Sequence, residues 1–292
     1  MVRQATVSGI LTMSSNLMET FTKILNRQLT HIPAPRLAIA FSGGVDSFLL
    51  AKLCTATMHD VTLITVGFQS THDIKLSRTI QHALQLPLID QMFTLNEIEE
   101  GLTQVLQVIE WTRLSRLEIS LGFYFIFKLA SAFHLSTVLS AHGTDELFCG
   151  YHAYRGVYGD ETALTKLMNK FVKTSQADKV EVDKLAQLFN IDYQCPFLSE
   201  NFIEYAMKVP LDLKITHRDD VVRKHLLRRV ATELGVPAHI AARPKKAFQY
   251  SAGIHKALQR LAKNRGHSRF NAQRAGYKSA LEAYIATFPQ LS

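Results

Sequence analysis

The sequence lacks the long apolar runs and the clustered cysteines that are typical of membrane proteins and of disulfide-stabilised scaffolds. The longest apolar run, Leu121–Phe127, is followed directly by Lys128 and is too short to cross a bilayer. The three cysteines, Cys54, Cys149 and Cys195, lie far apart and form no CxxC pair. We therefore expect no membrane span, no disulfide framework and no zinc ribbon, and a reducing, cytoplasmic setting.

Low-complexity tracts and internal repeats are also absent. The N-terminus carries a short apolar run that polar residues interrupt, so we expect no secretory signal. Hydrophobic residues make up 47% and charged residues 20% of the 292 positions, which excludes a disordered or collagen-like chain. The length predicts two modest domains or one large one.

Positive charge is concentrated in the C-terminal third of the chain. Residues 214–292 contain 16 Lys and Arg against 4 Asp and Glu, whereas the whole chain has a net charge of +8. This excess predicts a polyanion nearby, such as nucleotide phosphates, pyrophosphate or RNA. The alternative is a solvated basic surface on helices, and charge alone does not decide between the two.

Short apolar segments alternate with helical patterns through the first half of the chain. Apolar or β-branched runs predict strands at Arg36–Phe41, Val61–Phe68, Leu88–Phe93 and Ser136–Ser140. Helical spacing predicts helices at Ser15–Leu29, Asp46–Met58, Asp73–Leu86, Leu95–Ile109 and Glu118–Phe133. This alternation predicts an α/β fold with a parallel sheet and right-handed crossovers.

After Tyr151 the strand pattern fades and helical spacing takes over. The predicted helices are Glu161–Thr174, Asp183–Leu188, Ser199–Val209, Asp219–Leu234 and Ile254–Lys263. We therefore predict four regions, which are a helical lead-in at 1–34, an α/β domain at 35–155, a helical region at 156–265 and a tail at 266–292. The polar, basic composition of the tail indicates poor order.

The segment Ser42–Ser47 (SGGVDS) lies between a predicted strand and a predicted helix. Gly43 and Gly44 let the backbone approach an anion closely, and the amides of the turn, with the hydroxyls of Ser42 and Ser47, form a phosphate cradle. Asp46 would repel phosphate unless Mg²⁺ bridges the two groups. The segment lacks the Gly-Lys-Ser ending of a Walker loop, which disfavours a kinase or GTPase. The alternative is an ordinary turn with Asp46 as the helix N-cap.

SGGVDS is identified as the PP-loop signature of the ATP pyrophosphatases, which split ATP into AMP and pyrophosphate. A second segment, Gly143–Tyr151 (GTDELFCGY), resembles the asparagine synthetase motif G-x-D-E-L-F-G-G-Y. The resemblance implies a parallel sheet flanked by helices, of the adenine nucleotide alpha hydrolase type. It also implies that Asp145 joins Asp46 on Mg²⁺ and pyrophosphate, with Gly143 in the nucleotide site and Glu146 among the catalytic groups. The alternative reading makes Asp145 and Glu146 the cap and first-turn acids of a helix.

Further segments match the same family in order. Asp183-Lys184 precedes Pro196-Phe197-Leu198 at the family's spacing, which implies that Lys184 steadies the leaving pyrophosphate. The resemblance also implies that the basic residues Arg243 and Lys245 contact the ATP phosphates, and that Val66 and Gly67 bind adenine.

The K-x-L-L-R motif of the family corresponds to a segment of this chain that runs from Lys224 to Arg228. We expect Lys224 and Arg228 to hold helices together. The continuation from Lys245 to Gly253 is most similar to stand-alone asparagine synthetase-like proteins of archaea and to the asparagine-synthetase-domain proteins of eukaryotes.

The sequence also departs from the family pattern. The family's Gly-Glu-Gly is replaced by Ala141-His142-Gly143, so His142 could act as the base toward the amine, and asparagine as the product is in doubt. Gln194 stands where the family has an Arg. We expect no N-terminal glutaminase domain, so the nitrogen would come from free ammonia, an amine, or a separate glutaminase subunit.

These features together predict an ATP-dependent, amide-forming synthetase that uses ATP and Mg²⁺. It would adenylate a small-molecule carboxylate, release pyrophosphate, and release AMP when ammonia or an amine attacks. One alternative is a PP-loop tRNA-modifying enzyme, for which the basic C-terminal third would bind nucleic acid; the motifs do not favour it. Another is a nucleotide-binding, non-catalytic subunit.

Overall fold

The computed structural model describes residues 2–68, 71–244 and 247–289. The strands are β1 (Arg36–Ala40), β2 (Asp60–Gly67), β3 (Leu88–Met92), β4 (Thr137–Leu139) and β5 (Asp192–Gln194). The helices are α1 (Val2–Thr30), α2 (Val45–Ala56), α3 (His72–Leu84), α4 (Leu95–Leu106), α5 (Leu114–Ala132), α6 (Thr144–Leu147), α7 (Ala153–Gly156), α8 (Glu161–Gln187), α9 (Glu200–Lys208), α10 (His225–Glu233), α11 (Ala238–Ala241), α12 (Phe248–Ser251), α13 (Ile254–Asn264), α14 (Arg269–Arg274) and α15 (Ala280–Ile285). None of these helices has the length and apolarity needed to cross a membrane.

The strands form one parallel sheet in the order β3-β2-β1-β4-β5. β2 pairs with β3 in parallel, from Leu63 opposite Leu88 to Gly67 opposite Met92. All of β2 after its first residue is buried, which is typical of a strand covered on both faces of a parallel sheet. The predicted α/β fold with a parallel sheet is confirmed. Chain order reverses between β1 and β4, and such a switch point is where open α/β sheets bind ligands.

The structure differs from the prediction in the helical half of the chain. β5 was missed because its three residues, Asp-Tyr-Gln, form no apolar or β-branched run. Its ends are fixed by hydrogen bonds from the Asp192 amide to the Ser136 carbonyl and from the Ser140 amide to the Gln194 carbonyl. The two helices predicted between residues 161 and 188 are one helix, α8, because no breaking residue separates them.

The helix predicted to start at Asp219 starts at His225 instead. The tail expected to be poorly ordered forms α14 and α15, each capped by a serine side chain, Ser268 or Ser279.

The chain divides into two compact units, each made of three segments. The first unit comprises residues 1–61, 139–176 and 194–245, and the second comprises residues 62–138, 177–193 and 246–292. The predicted domain boundaries remain a prediction.

Each unit has its own aromatic core. In the first unit the ring of Phe21 lies 5.0 Å from that of Phe202 and 5.9 Å from that of Phe148. In the second unit Phe93 and Phe125 pack with ring centres 4.4 Å apart. In the first unit Phe148 belongs to the segment that follows β4, so this core anchors that segment.

Candidate functional site

The glycine loop, residues Ser42–Ser47, connects β1 to α2 and is held by its own side chains. Gly43 has a left-handed backbone (φ 71°), which a residue with a Cβ adopts only with strain. The hydroxyls of Ser42 and Ser47 lie 3.4 Å apart, and the Ser47 hydroxyl donates to the Gly44 carbonyl at 3.2 Å. The Gly44 amide donates to the Ser42 hydroxyl at 3.4 Å. The loop is therefore a preformed turn at the start of a helix.

Gly44 is the N-cap of α2 and provides no capping side chain. A Cβ on Gly44 would meet only the Ser42 hydroxyl among the described residues, at 3.4 Å, which is an ordinary contact. Its backbone is extended (φ −78°), so neither packing nor conformation inside the protein requires glycine at this position. Without a side chain at position 44, an anion could approach the first-turn amides of α2, as in a phosphate cradle.

One buried ammonium group joins two carboxylates from different loops. Nζ of Lys224 lies 2.8 and 2.9 Å from the two carboxylate oxygens of Asp46 and 2.7 Å from Oδ1 of Asp145. It also donates to the hydroxyl of Thr144 at 3.3 Å. The Lys224 side chain is 1% exposed, while those of Asp46 and Asp145 are 17% and 11% exposed. The structure therefore brings Asp46 and Asp145 together at one point.

This arrangement bears on two readings of the sequence. Lys224 was expected to hold helices together, and its ammonium group contacts Asp46 in the first turn of α2 and Asp145 in α6. Asp46 is not the N-cap of α2, because Gly44 takes that position. Lys224 could be singled out from the sequence because it begins the K-x-L-L-R motif, although nothing in the sequence pairs it with Asp46.

Two glycines shape the loop that carries Asp145. Gly143 precedes α6 with a left-handed backbone (φ 101°), and a Cβ there would lie 2.7 Å from Cδ2 of Leu198. A Cβ on Gly150 would lie 2.1 Å from Oδ1 of Asp145 and 2.5 Å from Cε of Lys224. Glycine at position 150 is therefore what allows the acid and the lysine to meet.

The lysine turn, residues 216–224, presents Lys224 at the start of α10. Asp220 is its centre, because its carboxylate accepts from the amides of Thr216, Val222 and Arg223 at 2.8 to 3.0 Å. Burial alone would raise the pKa of Asp220, but the hydrogen bonds from the Arg223 amide and from His225 hold this pKa well below its usual range. These bonds compete with helix formation, so α10 begins only after Lys224.

The lysine turn has a strained backbone that two arginines secure. Arg223 and Lys224 both have left-handed backbones, with φ of 47° and 55°. The Arg223 guanidinium donates to the Gly150 carbonyl at 3.0 Å. The Arg228 guanidinium donates to the carbonyls of Arg223, Val222 and Ala241. The prediction that Arg228 has a structural role is confirmed, and burial lowers the pKa of both guanidinium groups.

Glu146 is buried next to Asp145 and is bound by two tyrosines. The Tyr151 hydroxyl donates to its carboxylate at 2.6 Å, and the Tyr154 hydroxyl donates to its backbone carbonyl at 2.7 Å. Burial, followed by the charge of Glu146, raises the pKa of Tyr151 well above its usual value, so this hydroxyl remains a donor. These contacts fix the loop behind Asp145.

Among the remaining predicted residues, His142 and Lys184 make local contacts within their own units. His142 follows β4 half-buried, and its amide donates to the Ser140 hydroxyl at 3.4 Å. Arg243 is half-buried at the end of the first unit, and Lys245 lies outside the described residues. Lys184 lies on α8 in the second unit, where its Nζ contacts the Glu181 carboxylate at 2.9 Å.

Val66 and Gly67 end β2 in the second unit. A Cβ on Gly67 would lie 2.8 Å from the Thr71 hydroxyl and 3.2 Å from the Ala252 carbonyl. Packing inside the second unit thus already accounts for this glycine, and the roles assigned to Val66, Gly67, Lys184 and His142 stay predictions.

The acidic pair fits a magnesium ion that arrives with a phosphate ligand. Carboxylate oxygens are ligands that Mg²⁺ prefers, and Asp46 and Asp145 supply them at one point. No group of three or more His, Cys, Asp or Glu side chains in the described ranges could hold a metal. Two carboxylates suffice for Mg²⁺ when phosphate oxygens and water complete its coordination.

A parallel sheet with the SGGVDS loop after its central strand defines the PP-loop class of α/β proteins. The model of the asparagine synthase family matches residues 17–178 and 158–286. The chain belongs to the asparagine synthase family.

Curated relatives carry the same family name. The protein of Methanocaldococcus jannaschii assigned as glutamine-hydrolyzing asparagine synthetase 1 is 28% identical over 266 residues, covering 80% of this chain and 49% of that relative. The glutamine-hydrolyzing asparagine synthetase of mouse (Mus musculus) is 24% identical over 245 residues, covering 81% of this chain and 43% of that relative. The chain thus spans about half the length of these relatives.

Among solved structures, the NH3-dependent NAD synthetase of Campylobacter jejuni is similar at 15% identity and a TM-score of 0.35. That match covers 68% of this chain and 97% of that one.

Proposed function

We propose that the chain is an ATP-dependent synthetase that forms an amide through an acyl-adenylate. The observation that carries the proposal is the convergence of Asp46 and Asp145 beside a preformed glycine loop. Membership of the asparagine synthase family supports the same conclusion. The substrates are a small-molecule carboxylate and ammonia or an amine.

The glycine loop binds the ATP phosphates through its amides and the hydroxyls of Ser42 and Ser47. Asp46 and Asp145 hold Mg²⁺, which neutralises charge on the phosphates when it is bound. Arg243 and Lys245 add fixed positive charge near the triphosphate. Val66 and Gly67 bind adenine through their backbone.

The reaction proceeds in two displacements. An oxygen of the substrate carboxylate attacks the α-phosphorus, and the bond to pyrophosphate breaks while Lys184 stabilises its charge. The nitrogen of ammonia or an amine then attacks the acyl carbon, His142 accepts a proton from it, and AMP leaves. Glu146 keeps its loop in place for both steps. Ammonia is taken from solution or from a separate glutaminase subunit, and the reaction takes place in the cytoplasm.

The test is ATP turnover by the purified chain with Mg²⁺, ammonium and a panel of amino-acid carboxylates, with pyrophosphate and orthophosphate measured separately. Pyrophosphate and AMP in equal amounts, stimulated by one carboxylate, are expected. Bound ATP with no pyrophosphate for any carboxylate, with ammonium or with a supplied glutaminase, would reject an adenylating enzyme in favour of a nucleotide-binding subunit. A salt-sensitive shift of RNA would point to the nucleic-acid alternative.

A further inference from the structure

Two carboxylates and one ammonium group meet at the centre of the site. The acids of Asp46 and Asp145 face the ammonium group of Lys224, and all three side chains are largely buried. The charges of Arg223 and Arg228 also act on these acids. Both oxygens of Asp46 and one oxygen of Asp145 are within 2.9 Å of Nζ. The ammonium group therefore occupies the position between the acids that a cation must fill to prevent their repulsion.

We infer that Lys224 is an internal counter-ion that keeps the metal-binding carboxylates in place before the metal arrives, and that a divalent cation competes with it for the same oxygens. The inference rests on the proposed function, because it takes Asp46 and Asp145 as the magnesium ligands. It adds that Lys224 opposes metal binding in the absence of nucleotide. Nucleotide would shift the balance, since its phosphates bring further ligands to the metal and a new partner for the ammonium group.

The backbone around Lys224 explains why the ammonium group is held so firmly. The strained lysine turn is anchored by Asp220 and Arg223, and Cε of Lys224 lies against the bare backbone of Gly150. A flexible surface lysine would lose side-chain entropy on pairing, whereas this one is already ordered by its surroundings. The pair of acids is thus stabilised in the metal-free protein without any ligand.

The first test is thermal unfolding of the full chain without nucleotide, with and without Mn²⁺. Lys224→Met removes the ammonium group from between two largely buried carboxylates, so its melting temperature should fall by about 10 °C in metal-free buffer. Millimolar Mn²⁺ should restore at least half of that loss. Lys214→Met is the matched control, because Lys214 is equally buried in the same unit but its Nζ contacts the Ala206 carbonyl and the Met168 sulfur.

The second test is direct binding of Mn²⁺, followed by electron paramagnetic resonance. Removal of a competing positive charge a few ångströms away should tighten Mn²⁺ binding by Lys224→Met at least about tenfold relative to the unmodified chain. Lys214→Met should bind Mn²⁺ like the unmodified chain. If Lys224 had a purely structural role, the variant would bind Mn²⁺ more weakly or unchanged. The direction of the change in Mn²⁺ affinity therefore separates a competing counter-ion from a structural residue.

A double variant covers the case in which Lys224→Met does not fold. Lys224→Met with Asp145→Asn keeps one carboxylate and should melt above the single lysine variant, with little response to Mn²⁺. If the double variant is no more stable than Lys224→Met, or if Mn²⁺ stabilises Lys224→Met and Lys214→Met equally, the inference is overturned. If the unmodified chain binds neither Mn²⁺ nor ATP with Mg²⁺, the proposed function fails instead.

Discussion

Gly150 and Asp145 are so close that a methyl group on Gly150 would lie 2.1 Å from Oδ1 of Asp145. The backbone at Gly150 is held from both sides, since its amide donates to the Asp145 carbonyl at 2.7 Å and its carbonyl accepts from Arg223 at 3.0 Å. Gly150→Ala should therefore displace the Asp145 carboxylate and also crowd the backbone of that residue, because the added methyl group would lie 2.8 Å from the Asp145 Cα. We expect it to cost about 3 kcal/mol of stability and to abolish Mg²⁺-dependent ATP binding, as measured by chemical unfolding and calorimetry.

Gly156→Ala is the matched control for that substitution. A Cβ on Gly156 meets no described atom within 4 Å, and the residue ends the helix α7. Alanine there should be neutral or stabilise the protein by up to about 1 kcal/mol. Equal effects of the two alanines on ATP binding would contradict the close contact at Gly150.

Asp46→Asn and Asp145→Asn test the acidic pair. Each change removes one anionic ligand but leaves Lys224 with one carboxylate partner, so the fold should survive. We expect pyrophosphate release to fall at least about a hundredfold in both variants, because phosphate charge is no longer neutralised. Asp219→Asn, at a side chain that is 86% exposed, should behave like the unmodified chain. Near-normal turnover in both site variants would reject the assignment.

Lys184→Ala tests the predicted contact with the leaving pyrophosphate. In the ligand-free protein its ammonium group contacts Glu181 in a partly exposed pair, so the stability cost should be at most about 0.5 kcal/mol. Turnover should fall more than ATP affinity, because the contact strengthens as pyrophosphate leaves. Lys179→Ala, which breaks a similar pair with Asp183 on the same helix, is the control. Equal losses in affinity and turnover would remove the role in the transition state.

The parts of the fold that local pattern determines could be predicted from the sequence. β2 is rich in β-branched residues, and the SGGVDS loop has its glycines where a tight turn must follow β1, so both were located correctly. The start of α10 could not be located, because the side chain of Asp220 takes the amides that a helical register would use.

The pairing of Asp46 with Lys224 could not be predicted from the sequence, for a different reason. Lys224 is 178 residues away in the chain, and the motif that contains it has the spacing of an ordinary amphipathic helix. Only the fold reveals that its ammonium group lies between two acids. Long-range pairing of this kind depends on topology, whereas capping and turn formation depend on neighbouring residues.

Asp220→Asn tests the carboxylate that organises the lysine turn. The change removes the charge that accepts three backbone amides, so it should cost about 2 kcal/mol near neutral pH. Because the pKa of Asp220 is held below its usual value of 3.8 in the folded state, its contribution is complete above that value and is lost as the pH falls below it. The stability difference between the two proteins should therefore shrink from pH 5 toward pH 2 in urea unfolding. A difference independent of pH would mean that the charge contributes nothing.

Lys214 makes the stability of the fold depend on pH in the opposite direction. It is fully buried against Phe148, Met168 and the Ala206 carbonyl, and burial lowers its pKa from 10.5 to about 8. Below pH 8 both folded and unfolded chains carry the proton, and the buried charge destabilises the fold in full. As the pH rises toward 10.5 the folded chain releases the proton first, so stability increases across that window by about 3 kcal/mol at most.

Comparison with Lys214→Met isolates this effect between pH 7 and pH 10. Loss of the Lys214 charge also acts on the nearby thiol of Cys149, but burial raises the pKa of that thiol to about 12, above this range. The variant should be the more stable protein at pH 7, where methionine fills the same volume without a charge, and its advantage should decline steadily from pH 8 to pH 10. Urea unfolding at four or five pH values measures the difference. An advantage that stays constant across this range would mean that Lys214 keeps its proton in the folded chain.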